Sequence, residues 1–201
     1  MARLDLPPTV DRDRADIPRV YPFAVADFQR MYEVGILPPE TRTELIEGAI
    51  VEMSPIGARH AGCVNRLSQL FWEALAGTAI VSVQNSVRLN DRNLPQPDVA
   101  LLAPRADFYG NSHPTPEDVL LIVEVAETTV RFDRDTKGPL YAIAGIREYW
   151  LVDLAANLVE IYRDPSDSGY RTKLTVEAGE MIAPVAMPDR AIAVAAMLGA
   201  C

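Results

Sequence analysis

Apolar positions along the chain alternate between two periods, and the alternation predicts helices interleaved with strands. Over residues 23–36, Phe23, Phe28, Met31, Tyr32 and Ile36 recur close to helical spacing, with Gly35 placed to end the helix. Around Glu47-Gly48 the period falls to two, which predicts a short strand, a tight turn and a return strand. Residues 60–77 then put Val64, Leu67, Leu70, Phe71, Ala74 and Leu75 on one helical face, ended by Gly77. Three strands are expected next, over 79–89, 96–103 and 119–126. A further helix is expected over 133–145. Gly138-Pro139 disturbs its middle, and proline is best tolerated in a first turn, so the regular part should start near Gly138. A strand at 148–154, a hairpin of 158–164 with 171–179, and a small helix at 191–198 complete the chain. This order predicts an α/β fold with a mixed β-sheet flanked by helices.

A chain of 201 residues fits one domain, read as 21–201. The preceding arm, 1–20, mixes four arginines with four aspartates around Pro7-Pro8. A domain of this size buries enough surface to fold without a disulfide or structural metal. No apolar run is long enough for a membrane span, and the N-terminus lacks the apolar core of a secretory signal. Cys63 and Cys201 have no metal-ligand spacing, which points to a reducing, cytoplasmic setting. The net charge of −9 weighs against generic binding of phosphate backbones, so any nucleic-acid contact needs a local basic rim. Arg59, Arg66, Arg88 and the run 131–137 could supply one.

Glu124 is the most informative residue. It interrupts the apolar run 119–126, which has the composition of a strand buried on both faces. A carboxylate there needs a cation or hydrogen-bond donors, or it cannot stay ionised. An arginine pair at an exposed strand end would satisfy it equally well. Asp98 lies at the start of another apolar strand, directly after Pro97. Alone, Pro-Asp is a turn pair. Beside Glu124, it makes two carboxylates on neighbouring strands, the hard oxygen ligands that Mg²⁺ prefers. Lys137 shares a helical face with Asp133 and Tyr141, close enough in register either to lean over the carboxylates or to form a surface pair with Asp133.

Taken in order, Pro97-Asp98, Glu124-Val125-Ala126, Asp133, Lys137, Tyr141 and the string 145–153 (GIREYWLVD) resemble the Uma-two family of restriction-endonuclease-type proteins in the PD-(D/E)XK nuclease superfamily. The upstream Glu44-Leu45-Ile46-Glu47-Gly48, Ser54-Pro55 and His60 are similar to the same family, so the resemblance spans roughly residues 22–195. It implies a restriction-endonuclease-like core with an added N-terminal helix and hairpin and a C-terminal hairpin. It also implies Asp98 and Glu124 as metal ligands and as catalytic residues with Lys137. The superfamily's lysine falls two residues after the glutamate. Here that position is Ala126, and Lys137 on the following helix is the implied substitute.

Glu47 is either an additional ligand or a turn residue before Gly48, and His60 either contacts a metal or phosphate or simply begins its helix. Gln84 and Tyr141 are further candidates for the cleft. Tyr149-Trp150 reads as core or dimer surface. The leading expectation is therefore an endonuclease that cleaves DNA with Mg²⁺, or Mn²⁺, through a metal-activated water. The alternative is a catalytically silent nuclease fold that binds nucleic acid or protein as a homodimer. A glycosidase using the two carboxylates ranks last, because it needs a cleft rich in aromatics.

Overall fold

The computed structural model describes residues 20–75 and 77–199. The arm read at 1–20 lies outside these residues except for Val20. The elements run in the order α1 (Val25–Glu33), β1 (Thr43–Ile46), β2 (Ala49–Glu52), α2 (Ala58–Leu75), β3 (Ile80–Val83), β4 (Val99–Leu102), β5 (Val119–Ala126), α3 (Val130–Phe132), α4 (Gly138–Ile143), β6 (Glu148–Asp153), β7 (Leu158–Ser166), β8 (Gly169–Glu177), β9 (Met181–Ile182), β10 (Ile192–Ala193) and α5 (Val194–Leu198). A six-stranded sheet in the order β3-β4-β5-β6-β7-β8 forms the centre. Its pairs are antiparallel except β5 with β6, so the sheet is mixed as the periodicity predicts.

Strand parity divides the core into two layers. On one face Leu121, Val123 and Val125 of β5 pack with Val64, Leu67 and Phe71 of α2. On the other, Ile122 and Ala126 pack with Tyr141 of α4 and with Tyr149. Burial on both sides explains the unbroken apolar run of β5. Trp150 points toward α2, its ring 6.0 Å from that of Phe71, while Tyr149 stacks on Tyr162. Both are fully buried, so the aromatic pair is core. Each such side chain contributes roughly 2–3 kcal/mol of apolar burial. Among the described residues, no helix is long and apolar enough to cross a membrane.

Three local features differ from the periodicity. The strand expected over 79–89 ends at Val83, because Gln84 adopts a left-handed conformation (φ 52°) that breaks the ladder. The helical segment expected from Asp133 begins at Val130, and its first half includes a π-helical turn, Asp133–Lys137. Gly138-Pro139 opens the regular helix α4, as its proline predicts. The C-terminal hairpin, β7 with β8, is no appendage; it continues the central sheet.

The β1–β2 hairpin stands apart from the sheet. Its two-residue turn, Glu47-Gly48, has positive φ at both positions, as this tightest hairpin turn requires. Gly48 is also pressed against the chain, since a Cβ there would lie 2.6 Å from the Cβ of Pro22. Leu94 donates its N–H to the carbonyl of Leu45, and Gln96 donates its N–H to Oε1 of Glu44 at 2.6 Å. The segment before β4 therefore fixes the hairpin over the end of the sheet.

Candidate active site

The antiparallel register pairs Val99 with Val123, which sets Asp98 next to Glu124 at the end of β4 and β5. The Asp98 N–H approaches Glu124 Oε2 at 3.4 Å. Parity turns Glu124 toward the layer holding α4, where its Oε1 accepts from Lys137 Nζ at 3.0 Å and from the Tyr141 hydroxyl at 2.7 Å. Asp98 is held on both oxygens. Its Oδ2 accepts from the Val125 N–H at 2.9 Å and lies 3.0 Å from His60 Nε2, while its Oδ1 accepts from Gln84 Nε2 at 3.1 Å. The sequence-derived candidates Asp98, Glu124, Lys137, His60, Tyr141 and Gln84 thus come together around one constellation.

Glu47 does not join them. It occupies the hairpin turn with its side chain exposed, and its N–H donates to Asn93 Oδ1. The carboxylate that the hairpin delivers is Glu44, whose Oε1 accepts from Lys137 Nζ at 2.9 Å. Asp133 is the second residue with a larger part than its sequence suggests. Its Oδ1 lies 3.9 Å from Lys137 Nζ, and its Oδ2 accepts from the Thr129 hydroxyl at 2.7 Å. The Asp133–Lys137 pair is buried, not a solvated surface pair. The π turn widens the helix just where these two residues face the sheet, a distortion frequent at functional sites.

Charge does not balance in this pocket. Glu44, Asp98, Glu124 and Asp133 are each at most 6% exposed, and Lys137 is the buried ammonium among them. Burial alone would lower the lysine's pKa, but Glu124, Glu44 and Asp133 outweigh it and hold the ammonium protonated. Glu124 bears the excess: burial first, then the charges of Asp133, Asp98 and Glu44, raise its carboxyl to about 8 against the pull of Lys137. Asp133 shifts upward for the same leading reason. Asp98 moves the other way, because the donors His60, Val125 and Gln84 overcome the cost of its burial. His60 is correspondingly raised by its bond to Asp98, and its Nδ1 is buried with no hydrogen-bond partner among the described residues.

The constellation opens into a cleft of about 760 Å³. Arg42 and Arg131 line it with Ser54, Thr128 and Thr129. The expected basic rim is therefore thinner than the sequence suggests. Arg59 lies beside the cleft but is paired with Glu127. Arg66 donates to the α5 carbonyls of Met197 and Leu198, Arg88 pairs with Asp91, and Arg134 pairs with Glu160.

A mixed sheet between helices, with two carboxylates side by side at one end of its central strands, defines the restriction-endonuclease-like α/β class. The comparisons with known proteins agree. The profile of the Uma2 family, described as "Putative restriction endonuclease", matches residues 25–195, and the chain belongs to that family. Its fold is similar to the crystal structure of a protein described as a putative nuclease of DUF820 from Anabaena variabilis ATCC 29413, with a TM-score of 0.68 at 16% identity, covering 89% of this chain and 98% of that one. No curated protein matches the chain.

Proposed function

We propose that the chain is a metal-dependent endonuclease hydrolysing DNA phosphodiester bonds, with Asp98, Glu124 and Lys137 as its catalytic residues. The observation that carries this reading is the surplus of buried carboxylate over buried cation, which a further cation in the cleft would relieve. Asp98 and Glu124 would hold Mg²⁺, with Mn²⁺ as a substitute. Glu124 Oε2 suits this role, because its sole donor among the described residues is the distant Asp98 N–H. Among the described residues no three His, Cys, Asp or Glu side chains converge as a complete metal cage. When bound, the ion would supply Lewis acidity and lower the pKa of a coordinated water, making it a better nucleophile.

The remaining roles belong to the protein. Lys137 and Tyr141 clamp Glu124 Oε1 and so aim Oε2 at the cleft. His60 and Gln84 orient Asp98 from both sides. Arg42 and Arg131 stand where phosphate oxygens would pass, and a preorganised cation there stabilises charge that develops on phosphorus oxygens during attack. Cleavage of this type leaves a 5′-phosphate and a 3′-hydroxyl.

Plasmid nicking in Mg²⁺, Mn²⁺ and EDTA, run beside Asp98→Ala and Glu124→Ala, tests the reading, with metal binding followed separately by calorimetry. Nicking that survives in both variants refutes the assignment. A second reading rests on Lys137 already bridging Glu44 and Glu124, with Ala126 in the superfamily's lysine position. In it the chain is a catalytically silent homodimer that binds nucleic acid or protein. Binding without metal uptake or cleavage would favour that version.

A further inference from the structure

A second groove, of about 480 Å³, adjoins the cleft and shares Gln84 with it as a common wall. We propose that this groove takes an unpaired nucleobase flanking the scissile phosphate, stacked on Phe108, so that the substrate is single-stranded or locally unpaired DNA. The inference rests on the nuclease reading and specifies its substrate class.

The first observation is the loop that presents Phe108. Phe108 and Tyr109 are consecutive left-handed residues (φ 50° and 61°), a conformation that costs on the order of 1 kcal/mol at each non-glycine position. The loop is nevertheless firmly built. Arg105 pairs with Asp107 at 2.6 Å and lies 3.8 Å from the Tyr109 ring centroid, while the Tyr109 hydroxyl donates to the Ala103 carbonyl at 2.8 Å. Asn111 further ties Asp107 at 3.1 Å. These bonds hold Phe108 out at 73% exposure, over the groove, where it gains little from its own fold. A rigid loop that spends strain to expose an aromatic ring is a stacking platform, and stacking serves any base because every base has a π-face.

The groove itself supplies the second observation. Asn85, Ser86 and Gln96 line it with His113, a mix of amide and hydroxyl groups suited to the edge of a neutral base. Burial, then Arg88, lowers the pKa of His113 and keeps its ring neutral, so the groove adds no charge that would select a phosphate instead. The phosphate-facing arginines, Arg42 and Arg131, lie in the neighbouring cleft. One site thus receives backbone, the other a base, with Gln84 between them. A base can enter only if it has left the helical stack.

Photo-crosslinking with single-stranded oligonucleotides carrying 5-iododeoxyuridine, followed by mass spectrometry, tests this directly. Binding is measured in Ca²⁺ on the wild type, Phe108→Ala and Phe108→Trp. The expected result is a crosslink at Phe108, a loss of single-strand affinity of about 5- to 100-fold in Phe108→Ala from one stacked base, and recovery in Phe108→Trp. Duplex of the same sequence should bind at least tenfold more weakly. Unchanged affinity in Phe108→Ala, crosslinks confined to other segments, or equal affinity for duplex would overturn the proposal. If plasmid nicking persists in such a case, the nuclease reading stands without the base subsite. Failure to bind any DNA would remove both.

Discussion

Replacing Lys137 by methionine removes one charge and nearly no volume, so its effect isolates what the ammonium does for Glu44, Glu124 and Asp133. Lys137 Nζ lies 2.9 Å from Glu44, 3.0 Å from Glu124 and 3.9 Å from Asp133, all buried. Taking one partner from a buried ion pair typically costs about 3–5 kcal/mol, since the remaining charge is left uncompensated. Here three carboxylates lose the same partner. Part of the loss is spared because Glu124, which burial raises to about 8, is the carboxyl of the three that most readily stays protonated. The expected net loss is therefore about 3 kcal/mol, the lower end of that range. For a domain of this size, with a urea slope of about 2 kcal/mol/M, the midpoint should fall by about 1.5 M.

Urea unfolding followed by tryptophan fluorescence is the assay, the change coming from Trp150, buried against Phe71, since Trp72 is already exposed. The same titration in 5–10 mM Ca²⁺ adds a second arm. The divalent ion should raise the midpoint of Lys137→Met more than that of the wild type, because the variant holds the larger excess of negative charge. A midpoint within about 0.3 M of wild type would show that the carboxylates do not depend on Lys137, and the charge argument for the metal would fall with it.

Other consequences are measured more simply. Cys63, pushed up to about 11 by burial, should resist iodoacetamide at pH 8 in a folded Cys201→Ser background, with roughly one molecule in a thousand ionised; modification within minutes would contradict its buried state. Glu160 is held at about 2, since the donors Arg134, Lys173 and Tyr162 outweigh its burial. Its stabilisation, on the order of 2 kcal/mol after screening of its partly exposed partners, is full above about pH 5 and fades as pH falls toward about 2. The Glu160→Gln variant should flatten the stability curve across that interval, and an unchanged slope there would refute the linkage. Gly48→Ala should lower stability by about 2 kcal/mol or more, combining left-handed strain with the clash against Pro22; a neutral thermal midpoint would mean the turn can relax.

Much of the sheet was legible because both periods are strong. The run 119–126 has no polar residue except Glu124, and burial on both faces accounts for that composition. The failure at Gln84 is equally physical. Alternation resumes over 86–89 (Ser-Val-Arg-Leu) after the backbone turns left-handed at Gln84, and alternate polar residues read the same in a strand and in an irregular segment. The π turn was hidden for a related reason, since a widened helical turn leaves the apolar spacing nearly intact.

The hairpin carboxylate was harder to find. Glu124 stands out by interrupting an eight-residue apolar run, whereas Glu44 sits in Thr43-Glu44-Leu45-Ile46, a short mixed stretch whose full burial appears only in the fold. Glu47 drew attention instead through its neighbour Gly48, but a turn residue faces solvent, and its proximity to glycine reflects backbone geometry. What no single element could reveal is the convergence. Glu44 reaches Lys137 only because the segment before β4 bonds the hairpin at Leu45 and Glu44 and holds it over the sheet end. The site is therefore assembled by packing between the hairpin, α2, the ends of β3, β4 and β5, and the helical segment after β5, and each buried acid is tolerable only in the company of donors from the other segments. The same dependence makes the cluster fragile to loss of its lysine and receptive to an added cation.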